Sequence, residues 1–152
     1  MTRTEFVYVT YISAAPQRIW DSLTQPEFTR EYWVNENLSD WKPGSRWEHR
    51  EPNGGRQRVV GKVVESDPPR RLVLTWADPA QASDESATTR VTFELEPIDG
   101  MVKLTVTHDQ LVPGSDMHRA ISGGWPRVLS SLKSYLETGK PLPTWAKPKA
   151  TV

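Results

Sequence analysis

The longest periodic segment of the chain, from about Ser115 to Thr138, constrains the fold most strongly. Its apolar residues recur at spacings of three and four, which is typical of a helix with one buried side. Gly139 and Pro141 follow it, and this pair predicts the end of the helix. Such a helix must pack its apolar side against another part of the chain. The residues on that side are Ile121, Trp125, Val128, Leu129, Leu132 and Leu136.

The segments upstream predict the strands that would cover this helix. Thr89–Glu96 and Met101–Asp109 alternate apolar and polar residues around Asp99-Gly100, as antiparallel strands with one wet face do. Further strand and turn signals begin at Leu38, and Asn53-Gly54-Gly55 is the clearest hairpin turn among them. We therefore expect about six antiparallel strands in this region, in a sheet that curls around the C-terminal helix.

The N-terminal region predicts one further strand and two short helices. Phe6–Ser13 is apolar at both alternating positions, so we expect a strand that is covered on both faces. Pro16 and Pro26 each suit the first turn of a helix, where a missing N–H costs nothing. Within the long helix, Pro126 cannot donate to the carbonyl of Ser122, which predicts a bend or a restart there.

Composition excludes several classes of function. The chain carries 19 Lys and Arg against 19 Asp and Glu, and this balance argues against a broad nucleic-acid surface or a polybasic membrane anchor. It has no Cys, which excludes disulfides, Cys-ligated metal sites and thiol nucleophiles. The first residues lack the apolar stretch of a secretory signal, and no apolar run is long enough to span a membrane. We expect a cytoplasmic protein without membrane insertion or nucleic-acid binding.

Three motifs along the chain resemble those of a known family. They are Ile12-Ser-Ala-Ala-Pro16-x-x-Ile19-Trp20, Asp67-Pro-Pro-x-Arg71-Leu72-x-x-Thr75-Trp76 and Gly124-Trp125-Pro126-x-Val128-Leu129. In this order and spacing, over about residues 5 to 140, the chain resembles the activator-of-heat-shock-protein-90-ATPase-like (AHSA-type) family. That family is part of the START-like superfamily, also called the polyketide cyclase/dehydrase and lipid transport superfamily.

The resemblance implies an α+β helix-grip fold. In that fold a curved antiparallel sheet wraps a long C-terminal helix, and two short helices follow the first strand. A single START-like domain would span residues 1–152, with its core at about 5–140 and an extended tail at 141–152. Superfamily members bind sterols, lipids, aromatic polyketides or plant hormones between sheet and helix, and some catalyse cyclisation or hydration there. The eukaryotic namesake docks on the chaperone through a related domain.

The aromatic residues supply the candidate ligand site. The chain has seven Trp, more than a thin core requires, and small-molecule sites are commonly lined by aromatic side chains with a few polar groups. Alternation and helical spacing place a set of large side chains on the inward faces of their elements. We predict that these residues line a cavity beside the N-terminal half of the long helix, with ordinary core packing as the alternative for each. They are Trp33, Trp47, Trp76, Phe93, Leu104, Met117, Ile121 and Trp125.

Three histidines are the candidates for proton or metal chemistry at neutral pH: His49, His108 and His118. None has the spacing of a metal-binding motif, so we expect no metal and no cofactor. His49 and His108 share the parity of inward-facing neighbours, which makes them the candidate general acids or bases. A hydrogen-bonded structural histidine is the alternative for each.

Three functions remain open from the sequence. The first is a protein that binds a small hydrophobic or aromatic molecule, of unknown identity, in the cavity. The second is an enzyme of the polyketide cyclase or hydratase type acting in the same cavity, and the third is a chaperone-associated or other protein-interaction module. The chain has neither a Gly-x-Ser-x-Gly elbow nor a phosphate-binding loop, which favours binding over catalysis. A homodimer is compatible with all three functions.

Overall fold

The computed structural model describes residues 2–143, and the elements follow one another in the predicted order. The predicted tail at 141–152 lies outside the described residues from 144 onward. Two short 3-10 turns, Pro79–Gln81 and Glu85–Ala87, lie between the fifth and sixth strands. The main elements are β1 (Thr4–Ile12), α1 (Pro16–Thr24), α2 (Pro26–Trp33), β2 (Glu36–Leu38), β3 (Arg46–Arg50), β4 (Gln57–Asp67), β5 (Arg71–Trp76), β6 (Thr89–Ile98), β7 (Met101–Leu111) and α3 (Asp116–Thr138).

The strands form one antiparallel sheet in the order β1-β7-β6-β5-β4-β3-β2. Its inner face is apolar because alternate residues of β6 and β7 point the same way. Val91, Phe93 and Leu95 are buried on β6, as are Leu104 and its strand neighbours of the same parity on β7. The apolar side of α3 is buried in the same core cluster. The α+β helix-grip architecture predicted from the sequence is therefore confirmed.

The predicted helix boundaries follow from local chemistry. Pro16 and Pro26 occupy the first turns of α1 and α2. The Ser115 side chain caps α3 by accepting a hydrogen bond from the backbone N–H of His118. At the other end Gly139 adopts the left-handed conformation, with φ of 82°, and its N–H donates to the carbonyl of Tyr135.

Two sequence predictions are wrong. β1 is not covered on both faces, because Val7, Val9 and Tyr11 on its outer face are 43–48% exposed. The restart predicted at Pro126 is also wrong, because helical structure is continuous from Asp116 to Thr138; a bend at Pro126 stays a prediction.

A glycine in β4 leaves room for a tryptophan side chain of β3 to lie across β4 and reach β5. The Trp47 indole passes over Gly61 and donates from Nε1 to the carbonyl of Thr75 on β5, at 2.7 Å. A Cβ at Gly61 would lie 1.9 Å from that carbonyl oxygen and 2.5 Å from the indole nitrogen. Only glycine leaves room for this close approach. The hydrogen bond to Thr75 holds the Trp47 ring against Trp76.

Candidate functional site

The main candidate site is a cavity beside the N-terminal half of α3, with a volume of about 670 Å³. The end of α2 and parts of β3, β4 and β5 form its other walls. The largest side chains of its apolar wall are Trp33, Trp76, Met117, Ile121 and Trp125.

Four polar residues share this cavity with the apolar wall. Asn35 and His49 line it on the side of β2 and β3, and Glu51 and Arg58 lie at its mouth. Arg58 faces Glu51 at 3.7 Å between Nη1 and Oε2, with both side chains nearly half exposed. The positive charge at the mouth is therefore balanced by a neighbouring negative one.

The structure divides the eight predicted lining residues into two groups. Five of them form the apolar wall just described. Trp47, Phe93 and Leu104 are buried but do not line the cavity. Phe93 lies behind Trp125, with ring centroids 5.7 Å apart, and Trp47 lies against Trp76 at 5.3 Å. A residue on an inward face therefore does not always line the cavity. The rings of Trp125 and Trp76 separate Phe93 and Trp47 from it.

Five tryptophans form one continuous cluster, and three of them line the cavity. Trp76 is central, with ring centroids 5.3 Å from both Trp47 and Trp125 and 6.4 Å from Trp33. Trp33 and Trp125 meet edge to face at 5.5 Å, and Trp41 extends the cluster beyond Trp47 at 6.5 Å. These offset and edge geometries are the favourable ones for aromatic pairs, so the rings support one another in a rigid wall.

His49 lines this cavity, and each of its ring nitrogens lies beside an asparagine side chain. It is a cross-strand partner of Asn37, and its Nδ1 lies 2.6 Å from Asn37 Oδ1. The side chain of Asn35 lies 3.3 Å from His49 Nε2. Burial, together with the charge of Arg58, lowers the pKa of His49 to about 3, so the ring is neutral near pH 7.

His108 faces inward as its parity predicts, but it does not line the cavity. It is fully buried behind Trp125, whose Nε1 donates to His108 Nδ1. Nε2 of His108 lies 2.7 Å from Thr89 Oγ1, which also bonds the carbonyl of Trp76. Burial lowers the pKa of His108 to about 3, with Asp109 opposing the shift. Both ring nitrogens are therefore occupied by protein groups.

The third histidine lies away from the cavity. His118 is in the first turn of α3, where its Nδ1 accepts a hydrogen bond from the backbone N–H of Gly114. It closes the loop before the helix and takes no part in the site.

The backbone is strained where α2 passes into β2, at the cavity rim. Val34 has φ of 78° and ψ of −41°, in a region that β-branched residues rarely adopt. Its two neighbours, Trp33 and Asn35, both line the cavity. Backbone strain of this kind persists where surrounding contacts hold it and is often found at ligand sites.

The sequence analysis did not identify four polar residues that belong to the site or support it. Asn35 and Asn37 carry no motif, and their roles depend on the pairing of the three-residue strand β2 with β3. Glu51 follows β3 and Arg58 lies in β4. Both belong to a stretch of interleaved charges whose pattern is that of an ordinary solvated surface.

The described residues give no sign of a metal centre or a membrane span. Among residues 2–143, no group of three His, Asp or Glu side chains is placed to hold a metal ion. In the same part of the chain no helix has the length and apolar character needed to cross a bilayer.

Comparison with known proteins gives a family match and several structural neighbours. The family described as "Activator of Hsp90 ATPase homolog 1-like protein" matches residues 13–137. No curated protein matches the sequence significantly. The Aha1 dimer from Colwellia psychrerythraea, a solved structure, is 25% identical with a TM-score of 0.76, and the alignment covers 90% of this chain and 98% of that one.

Two more distant structures share the fold. CalU16 from Micromonospora echinospora is 18% identical with a TM-score of 0.69, covering 89% of this chain and 77% of that one. An HSP90 activator from Plasmodium falciparum is 19% identical with a TM-score of 0.71, covering 90% of this chain and 97% of that one.

Proposed function

The chain belongs to the Activator of Hsp90 ATPase homolog 1-like family, and on that premise we propose that it binds a small aromatic molecule in the cavity beside α3. The observation that carries the proposal is the wall of Trp33, Trp76 and Trp125 around a space of about 670 Å³. Small-molecule sites typically have volumes of roughly 300–1,000 Å³ and apolar, aromatic linings with a few polar groups. The cavity meets both criteria.

The shape of the wall favours a flat ring system over a flexible chain. Trp76 and Trp125 are tilted 53° to each other, whereas Trp33 stands at 61° to Trp125 and at 19° to Trp76, so the wall combines nearly parallel and steeply inclined rings. A planar aromatic ligand can meet a face on one side and an edge on the other. Each such contact contributes about 0.5–1.5 kcal/mol beyond simple area burial.

The two candidate histidines support binding better than catalysis. With pKa values lowered to about 3, His49 and His108 are neutral near pH 7 and are weak bases. An efficient general acid or base has a pKa near the working pH. His108 also lies behind Trp125, and both of its ring nitrogens are hydrogen-bonded to protein groups. We therefore retain a cyclase or hydratase activity only as the weaker alternative.

A homodimer is the second part of the proposal. The relative from Colwellia psychrerythraea is a dimer, and the outer face of β1 in this chain carries Val7, Val9 and Tyr11 in one exposed row. A second copy of the chain would bury this row against its own equivalent, as two-fold symmetric interfaces do.

Native mass spectrometry of the protein purified from its own source tests the ligand proposal. We expect a species heavier than the polypeptide of 17.3 kDa, which loses a small aromatic molecule on denaturation. A protein that is ligand-free after this purification, and that also fails to bind any of a panel of two- and three-ring aromatic compounds, would contradict the proposal.

A further inference from the structure

We propose that the cavity selects aromatic ligands that carry a hydrogen-bond donor, such as a phenolic hydroxyl or a ring N–H, and that His49 Nε2 is the acceptor that recognises it. The inference rests on the proposed function, because it names the ligand class of the same cavity. It assigns to His49 a role in specificity rather than in proton transfer.

The tautomer of His49 follows from the bonds around Asn37. The amide nitrogen of Asn37 lies 2.9 Å from the carbonyl of Leu23, which can only accept, so the amide orientation is fixed. Asn37 Oδ1 then faces His49 Nδ1 at 2.6 Å, and this ring nitrogen must carry the proton. His49 Nε2 is left with a lone pair and no proton.

This lone pair is buried at the cavity wall and only weakly engaged. His49 is 4% exposed and lines the cavity. Its present partner is the Asn35 amide at 3.3 Å, near the limit of a hydrogen bond. Asn35 is half-buried and lines the same cavity, so a ligand that enters can displace its side chain from Nε2. A ligand hydroxyl at an ordinary distance would form the better bond.

The charges at the cavity mouth argue against an anionic ligand. Arg58 is the cation in the lining, and it already faces Glu51. A carboxylate entering the cavity would meet Glu51 at the mouth and the lone pair of His49 inside, and both repel it. Because burial holds the pKa of His49 at about 3, the ring offers no positive charge to offset this near neutral pH.

A set of three naphthalene probes of nearly equal size tests the ligand class. 2-Naphthol has the hydroxyl donor, 2-methoxynaphthalene has the same oxygen without the donor, and 2-naphthoate is anionic. Equilibrium dialysis at pH 7 gives a Kd for each. We expect 2-naphthol to bind roughly 2- to 10-fold more tightly than 2-methoxynaphthalene, the effect of one net hydrogen bond, and 2-naphthoate to bind most weakly.

Two variants locate the acceptor. His49→Phe keeps a planar ring beside Trp33 but removes the lone pair, so the preference for 2-naphthol over its methyl ether should disappear. Asn35→Ala should strengthen 2-naphthol binding, because the amide no longer competes for Nε2. If Asn35 were instead the group that holds the hydroxyl, Asn35→Ala would abolish the preference. Thermal melts of both variants establish that they fold.

The wild-type measurement alone decides the inference if His49→Phe does not fold. Equal Kd values for 2-naphthol and 2-methoxynaphthalene would overturn the donor selectivity while leaving an aromatic-binding cavity intact. Tighter binding of 2-naphthoate would overturn it in favour of recognition by Arg58. Failure of all three probes to bind would contradict the proposed function itself.

Discussion

The indole of Trp125 donates a hydrogen bond from Nε1 to Nδ1 of His108 across 3.1 Å. Because Nδ1 accepts this bond, the proton of the neutral ring is on Nε2, which donates to Thr89 Oγ1. The Thr89 hydroxyl in turn donates to the carbonyl of Trp76. His108 therefore links two tryptophans of the cavity wall, one through its side chain and the other through its backbone.

The first prediction concerns the buried hydrogen bonds that join Trp125, His108, Thr89 and the carbonyl of Trp76. Thr89→Val should lower the free energy of unfolding by about 1–3 kcal/mol, because it leaves the N–H of His108 without an acceptor. Thr92→Val on the same strand is the matched control, since the Thr92 side chain lies on the opposite, outer face. We expect it to change stability by less than about 0.5 kcal/mol. Urea denaturation measures the free energy of unfolding of both variants. Equal losses would argue that the hydrogen bond from His108 to Thr89 does not stabilise the fold.

The second prediction is a loss of stability in mild acid. The folded-state pKa values of His49 and His108, about 3, lie well below the ordinary value of 6.5. Between these values the unfolded chain binds protons that the folded protein does not, so stability falls as the pH drops below about 6.5 and is level above about 7. Carboxylates with lowered pKa, such as Glu48, add to the loss only below about pH 5.

The slope of unfolding free energy against pH measures this effect. Near pH 5 it should correspond to the uptake of close to two protons on unfolding, and His49→Phe should reduce it to about one. A stability that stays level from pH 7 down to pH 4.5 would contradict the prediction, because it would show that both histidines take up protons in the folded protein as readily as in the unfolded chain.

The third prediction concerns the outer face of β1. Val9→Lys should convert the proposed dimer into a monomer, because it places a charge in the middle of the exposed apolar row. Val64→Lys is the control, since Val64 is 53% exposed on β4, on the opposite side of the sheet order from β1. Light scattering after size-exclusion chromatography gives the masses. A monomeric wild type at tens of micromolar, or an equal effect of Val64→Lys, would contradict the prediction.

The helices and inner strands were predictable because their signals are local. Pro16, Pro26 and Gly139 act through their own backbone geometry, and these positions hold in the structure. β1 was mispredicted because alternation reports which residues are apolar and not which neighbours cover them. Val7 and Val9 are apolar, but their face of β1 is exposed in the described part of the chain.

The site was predictable only in outline. Parity correctly placed Trp76 and Trp125 inward, but it cannot distinguish the first layer of rings from residues such as Phe93 behind it. The pairing of Asn37 with His49 depends on the register between β2 and β3, and no short-range pattern encodes that register. Polar recognition in this cavity is therefore a property of the folded sheet.

Filling the cavity tests the central claim, that the chain binds an aromatic molecule beside α3, most directly. Gly124 lines the cavity, whereas the adjacent Gly123 is exposed and a Cβ there would meet nothing within 4 Å. Gly124→Leu and Gly123→Leu give the helix the same gain in propensity, but only the first places a side chain in the ligand's space. The Kd of 2-naphthol should rise at least about tenfold in Gly124→Leu, a loss of about 1.4 kcal/mol, and remain unchanged in Gly123→Leu. Equal Kd values in the wild type and in Gly124→Leu would contradict the account.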